Sequence, residues 1–337
     1  MIVTLTANPS IDRTVALPGI LERGGVLRSR GETAQPGGKG VNVARVLMLA
    51  GARSRAVLPV DTDDPLSTAL AATGLDVAAI PRGAPTRTNL TLTEPDGTTT
   101  KINSPGSALP RAVQERLLDV LVAASADAEW AVLSGSLPAE APDDWYADVV
   151  TALRSTGARI AVDTSDRPLR GLAARFPATA PDLIKPNSEE LAQLTDERPD
   201  RFDAAAAAGD LGPVVAAARR LLDRGVGSVL VTLGSAGALL VDAQGTWWGG
   251  GAAGQGAQHG RRRRFEPGRL PPGRYRRARA GGAPARRHRL RRRRRVASRH
   301  HPARTRHRGR PPRPHPDHRA RAARRSPPAR PRVRTPP

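Results

Sequence analysis

Apolar runs of strand length alternate along residues 1–247 with longer segments of helical period, the arrangement of parallel βαβ units. Strands are predicted over Ile2–Thr6, Ala56–Val60, Trp130–Ser134, Arg159–Asp163, Asp182–Lys185 and Ser228–Thr232. Between them, helical periodicity covers Val41–Ala50, stopped at Gly51, and then Arg111–Ala124, Asp144–Ser155 and Pro213–Arg224. Two pieces break the rhythm, about 14–33 and 86–103. The second alternates Thr with apolar residues around Pro95-Asp96-Gly97, the pattern of a β-hairpin, so both are assigned to a small sheet outside the main one. The alanine-rich stretch Asp203–Asp210 reads as a surface loop or short helix.

Composition divides the chain. From Trp248 to Pro337 there are 30 Arg, no Lys, 2 acidic residues and all 7 His; residues 1–247 hold 24 basic against 29 acidic residues, a net of −5. The whole-chain charge of +23 therefore belongs to the tail. The length of 337 residues allows two domains, but the usable core is one α/β domain over 1–247, with 248–337 read as an Arg/Pro-rich disordered tail. Zero Cys excludes disulfides and thiolate metal sites, and the confinement of His to the tail argues against a zinc centre upstream. The polar start and the lack of an apolar run of membrane-spanning length lead to the expectation of a cytoplasmic enzyme domain with no membrane partner.

The sharpest chemistry lies in Pro36-Gly37-Gly38-Lys39-Gly40-Val41-Asn42, placed just before a helix. Glycines admit close backbone approach, the helix N-terminus offers free N–H groups, and Lys39 adds a positive charge: an anion site. The spacing is not that of a Walker P-loop. Asn8-Pro9-Ser10-Ile11-Asp12 follows the first strand, where ligands of open α/β sheets bind; Asp12 and Asn8 suit sugar hydroxyls, although such a sequence also makes a plain turn. Arg87-Thr88-Asn89 places a guanidinium on the small sheet, either a phosphate fork or a solvated charge. Ser134-Gly135-Ser136 ends a buried strand with small residues and free N–H groups. Lys185-Pro186-Asn187-Ser188-Glu189-Glu190 opens a helix: Asn187 and Glu190 suit a hydrated magnesium ion and equally a capping box. Thr232-Leu233-Gly234-Ser235-Ala236-Gly237 is a glycine turn of a kind any tight hairpin uses.

In this order the six segments resemble the PfkB, or ribokinase-like, carbohydrate kinases, in the branch acting on sugar phosphates, over residues 1 to about 247. The resemblance implies an α/β three-layer sandwich with a small β lid and ATP-dependent phosphorylation of a sugar phosphate. D-fructose 1-phosphate is the first expectation, with tagatose 6-phosphate and fructose 6-phosphate as alternatives. It assigns Asn8, Asp12, Gly38, Lys39, Asn42, Arg87, Asn89 and Ser136 to the substrate, and Lys185, Asn187, Thr232, Gly234 and Gly237 to ATP. Glu190 is given to Mg2+, indirectly. Whether the lid pairs with a second copy, as a homodimer, stays open.

The family's Gly-Ala-Gly-Asp motif, whose Asp is the catalytic base, is absent; no residue is assigned as catalytic, and Gly260-Arg261-Arg262-Arg263-Arg264-Phe265 stands in its place. Codon degeneracy offers a reason. With one base dropped, the codons for Gln258 to Glu266 can spell Ser-Thr-Val-Gly-Ala-Gly-Asp-Ser. A one-base shift also turns GC-rich coding for Ala and Gly into Arg and Pro. The tail is therefore expected to be out of frame, the C-terminal part of the fold missing or replaced, and turnover by this chain low. The rival class is a polyanion or RNA binder acting through the basic tail, with no specific nucleic-acid site.

Overall fold

The computed structural model describes residues 1–138 and 140–250, together with the backbone of Tyr275–Arg277. The expectations placed on the rest of the tail, its disorder, shifted frame and polyanion binding, lie outside the described residues.

The first parallel core forms from β1 (Ile2–Leu5), β4 (Ser54–Pro59), β5 (Asp76–Ile80), β8 (Trp130–Ser134) and β9 (Arg159–Asp163). It continues through β10 (Leu183–Ile184) and β11 (Ser228–Thr232), and ends in β12 (Ala238–Asp242), β13 (Gly245–Gly249) and β14 (Tyr275–Arg277). The order across this ten-stranded sheet is β14-β13-β12-β11-β10-β9-β8-β1-β4-β5. From β5 to β11 all pairings are parallel, and β12 and β13 are antiparallel additions. The strand holding Trp247 thus continues to Gly249, past the point where composition changes.

Strand alternation sends neighbouring residues to opposite faces. On one face, Val57 and Leu133 pack with α3 (Arg111–Ser125) and α4 (Trp145–Leu153). On the same face Val229 and Val231 pack with α5 (Asp166–Ala173), α6 (Ser188–Thr195), α7 (Pro199–Ala207) and α8 (Gly212–Asp223). On the other face Ala56 and Leu58 meet α1 (Lys39–Leu49) and α2 (Pro65–Ala71). Sequence and structure agree closely on β8, β9, β11 and the helices α3 and α8. The alanine-rich piece is α7, begun earlier by Pro199 at its first turn.

The second sheet is the lid, ordered β3-β2-β6-β7, from β2 (Ser10–Ala16), β3 (Gly31–Gly37), β6 (Arg87–Thr93) and β7 (Thr99–Ile102). The β6–β7 hairpin is the one expected. The first lid piece is displaced: strands occupy residues 10–16 and 31–37, flanking rather than filling 17–30, so Asp12 and Gly37 belong to the lid itself. Two carboxylates pin the lid's entry. Asp61 accepts from the backbone N–H groups of Arg82, Gly83 and Ala84 at 2.6, 3.1 and 3.2 Å. Asp64 caps α2 through Leu66 N and also accepts from Thr86 N, each at 2.8 Å.

Candidate active site

The sequence-predicted residues gather into two groups at the carboxyl edge of the parallel strands. The first lies between β1 and the lid. Parallel register sets Asp12 opposite Asn89. The Asp12 carboxylate Oδ1 accepts from Asn89 Nδ2 at 2.9 Å and from the Ser10 hydroxyl at 2.8 Å. Asn8 donates through Nδ2 to Pro105 O at 2.9 Å and to Ser136 Oγ at 3.4 Å. Arg87 spends both terminal nitrogens on backbone carbonyls, Nη1 on Ser104 O at 2.7 Å and Nη2 on Asn8 O at 3.0 Å. Its fork therefore ties the lid to the loop after β1, and an incoming phosphate would share it with those carbonyls. Burial pushes the Arg87 guanidinium below its ordinary value, while Asp12 pulls the other way. Three buried polar atoms here have no partner: Asn8 Oδ1, Asn89 Oδ1 and Arg87 Nε. Buried groups of this kind are costly unless something pairs with them.

The glycine loop feeds α1 from beneath. Gly38 holds φ 107°, a conformation that side-chain-bearing residues rarely adopt. Gly40 lies so close to β1 that a Cβ there would sit 2.6 Å from Leu5 O and 2.4 Å from Thr6 Oγ1. Glycine is what lets α1 begin directly against the strand end. Lys39 is its first residue, with exposed Asn42 a turn further on.

The second group follows β10 and β11. Asn187 and Glu190 form a capping box: Asn187 Oδ1 accepts from Glu190 N at 2.8 Å, and Glu190 Oε2 accepts from Asn187 N at 2.9 Å. Glu190 is buried, with one carboxylate oxygen so engaged. Thr232 bridges to Asn187 and donates its N–H to Pro186 O at 2.9 Å. Gly234–Ala236 then make a single 3-10 turn, closed where Leu233 N donates to Gly237 O at 2.8 Å, so the glycine turn between two strands is present. Among the described residues no cluster of three potential metal ligands forms. Glu190 keeps one carboxylate oxygen outside the capping box.

Sequence reasoning passed over Asp163, at the end of β9. Its Oδ1 accepts from Lys39 Nζ at 3.1 Å and from Lys185 Nζ at 3.2 Å, joining the two groups. An Asp closing a parallel strand at the ligand-binding edge was the available signal. The Gly135 carbonyl was also passed over; it accepts from the buried Tyr146 hydroxyl at 3.1 Å and from Thr164 Oγ1 at 2.9 Å, fixing the turn that presents Ser136. Burial, with Asp163 nearby, pushes the Tyr146 phenol well above its ordinary value.

The family model described as pfkB family carbohydrate kinase matches residues 5–248, the stretch that carries both groups. The chain belongs to this family. A 1-phosphofructokinase of Xanthomonas campestris pv. campestris is 35% identical over 242 residues, 71% of this chain and 73% of that protein. The ATP-dependent 6-phosphofructokinase isozyme 2 of Mycobacterium tuberculosis is 32% identical over 247 residues, 71% and 67% of the respective chains. Phosphofructokinase-2 from Escherichia coli, solved in complex with fructose 6-phosphate, superposes with a TM-score of 0.66 at 29% identity, covering 75% of this chain and 80% of that one. The pfkB fold expected from the motifs, an α/β sandwich with a β lid, is the fold observed, and family membership brings ATP as co-substrate of a sugar kinase. No helix among the described residues is long and apolar enough to cross a membrane.

Proposed function

We propose that residues 1–247 carry the substrate-binding half of an ATP-dependent kinase for D-fructose 1-phosphate, giving fructose 1,6-bisphosphate. The observation that carries this reading is the cluster of unpartnered buried atoms, Asn8 Oδ1, Asn89 Oδ1 and Arg87 Nε, around the Asp12–Asn89 hydrogen bond. A sugar has hydroxyls to give and take there. Asn8, Asp12, Asn89 and Ser136 would orient the ring, with Gly38, Asn42 and Lys39 holding it at the glycine loop. Lys39 and Arg87 would meet the phosphate already present. Lys185, Asn187, Thr232, Gly234 and Gly237 would line the ATP side. Mg2+, held through water by Glu190, would shield the triphosphate charge. In the reaction the bond from the γ-phosphorus to its bridging oxygen breaks as one to the C6 hydroxyl oxygen forms, and the hydroxyl proton must leave to a base. No described residue is placed as that base.

We infer that the base was lost to a one-base shift near the Trp247 codon, since the Gly-Ala-Gly-Asp motif is available one register away. A coupled assay on the chain as given should find little or no turnover, and the frame-restored chain should recover it. Near-normal turnover by the chain as given would refute the inference, as would sequencing that finds no indel. Fructose 6-phosphate is the second reading, favoured by the Mycobacterium tuberculosis relative. Ranking fructose 1-phosphate, fructose 6-phosphate and tagatose 6-phosphate by thermal shift on the frame-restored chain decides among them. A response to none of the three would sink the sugar-phosphate reading.

A further inference from the structure

The chain holds only three lysines, Lys39, Lys101 and Lys185, and two of them meet on one carboxylate oxygen. They arrive from opposite halves of the fold. Lys39 stands at the first residue of α1, behind the glycine loop, and Lys185 follows β10, just before the capping box. Their ammonium nitrogens are no farther apart than two hydrogen-bond lengths. Two cations at that separation repel, and their long side chains have many alternative rotamers in which they would move apart. Asp163 prevents this: its side chain is mostly buried, 16% exposed, against 47% for Lys39 and 33% for Lys185. The carboxylate is the fixed member of the trio. The backbone around it is fixed as well, because Asp163 O accepts from Gly135 N at 2.8 Å and β9 lies between β8 and β10.

We propose that Asp163 is a positioning residue that anchors Lys39 and Lys185 together at the strand edge, so that the two half-sites share one electrostatic hinge. This rests on reading those half-sites as the sugar-phosphate and ATP sides. By field alone, removing a negative charge beside two lysines would tighten the binding of anions. If Asp163 positions the lysines, its loss weakens both ligands instead, by about tenfold each, the scale of one charge-assisted hydrogen bond lost.

The scarcity of lysine permits a direct test. Reductive 13C-dimethylation of the full chain keeps the lysine charges and labels three side chains, with Lys101 on the lid as the internal control. In the ligand-free protein, Asp163→Asn should move the Lys39 and Lys185 signals together and leave Lys101 in place. Lys39→Met should move Lys185, which keeps the test usable if the Asp163 variant fails to fold. Titration with fructose 1-phosphate and, separately, ATP by calorimetry should then show both affinities falling in Asp163→Asn. Shifts in one lysine or in neither, or tighter binding in the variant, would overturn the proposal. So would an affinity change seen only for ATP with Mg2+ and absent in EDTA, which would assign the carboxylate to the cation. Paired lysine shifts in a parent chain whose signals answer neither fructose 1-phosphate nor ATP would leave the shared anchor standing and overturn the functional reading.

Discussion

Gly40→Ala sets two effects of opposite sign against each other. Gly40 lies inside α1, where alanine is favoured over glycine by about 1 kcal/mol. Against that, the new methyl would sit 2.6 Å from Leu5 O and 3.0 Å from Leu5 C, which are backbone, and 2.4 Å from Thr6 Oγ1. Thr6 is buried and β-branched, so moving its Oγ1 means turning χ1 against its packing, and the Leu5 backbone cannot easily move either. β1 is hydrogen-bonded to β4 on one side and β8 on the other, in the middle of the sheet. Relief must come from α1 lifting off the strand, which opens the packing of Val41 and Ala44, both fully buried, against Ala56 and Leu58. Overpacking of this kind costs about 1–3 kcal/mol, toward the upper end where both neighbours are rigid. The net expectation is a destabilisation of about 1–2 kcal/mol, or about 2–8 °C in Tm for a domain of this size. If Lys39 holds the sugar phosphate as proposed, lifting α1 should lower that affinity as well. Gly212→Ala is the control, since its methyl would approach only the side chain of Asp210. Thermal unfolding of both variants tests the argument: a Tm for Gly40→Ala equal to or above the parent would show that helix propensity wins and that α1 is free to move.

The lid anchor should be sensitive to acid. The backbone N–H of Gly83, with those of Arg82 and Ala84, holds the Asp61 carboxyl below its ordinary value, against some opposition from burial. A depressed folded value means that the contribution to stability is fully present above the unfolded carboxylate range, near pH 4, and is lost as pH falls through the folded value. Asp61→Ala should therefore cost about 1 kcal/mol at neutral pH, the low end because the group is partly wet, and the gap to the parent should close below about pH 4; a gap independent of pH down to acid unfolding would contradict this. At the Ser136 turn, Tyr146→Phe and Thr164→Val should each cost about 1 kcal/mol or less, because one hydroxyl still reaches Gly135 O. The double variant should exceed their sum by at least about 0.5 kcal/mol, since it strands a buried carbonyl. Simple additivity in chemical denaturation would mean that the two bonds are independent.

What was legible in the sequence followed from locality. β8, β9 and β11 are runs of five residues with buried apolar side chains, bounded by glycine or charge, and their limits match the reading. α2 is short, but its signals were present and unused: Asp64 as cap and Pro65 in the first turn. The lid strands β2 and β3 were harder. Gly31–Gly37 is mostly exposed, with no apolar alternation to read, and β2 is half-buried along its length. Its partner on one side is β6, paired in parallel with Ser10 opposite Arg87, a contact that nothing local specifies. The site shows the same division. Individual motifs could be read one by one, whereas Asp163, which joins Lys39 to Lys185, is visible only once β9 is set between β8 and β10.

The two faces of the main sheet bear on the C-terminal question independently of the missing motif. Parallel register carries one face from Val162 through Ile184 to Val229, all essentially buried beneath helices. On the opposite face Leu183 stands beside Ala161, and Leu230, on the same side of its strand, pairs directly with Leu240. There Leu183, Leu230 and Leu240 are only half-buried, although they are as apolar as their neighbours. Among the described residues the helices on this face are α1 and α2, which pack over β1 and β4 at the other end of the sheet. Mostly parallel sheets are stable when both faces are covered, and each leucine fully buried contributes about 1.5–3 kcal/mol. Among the described residues, these three half-buried leucines share a face on which a further apolar layer would add stability. In the shifted register the codons for Glu266 to Gly273 can spell Ser-Leu-Ala-Gly-Tyr-Leu-Leu, directly after the catalytic motif. If the frame shifted as proposed, catalysis and packing ask for the same segment, and restoring the frame should raise Tm as well as turnover. Recovery of turnover with no gain in Tm would separate the two.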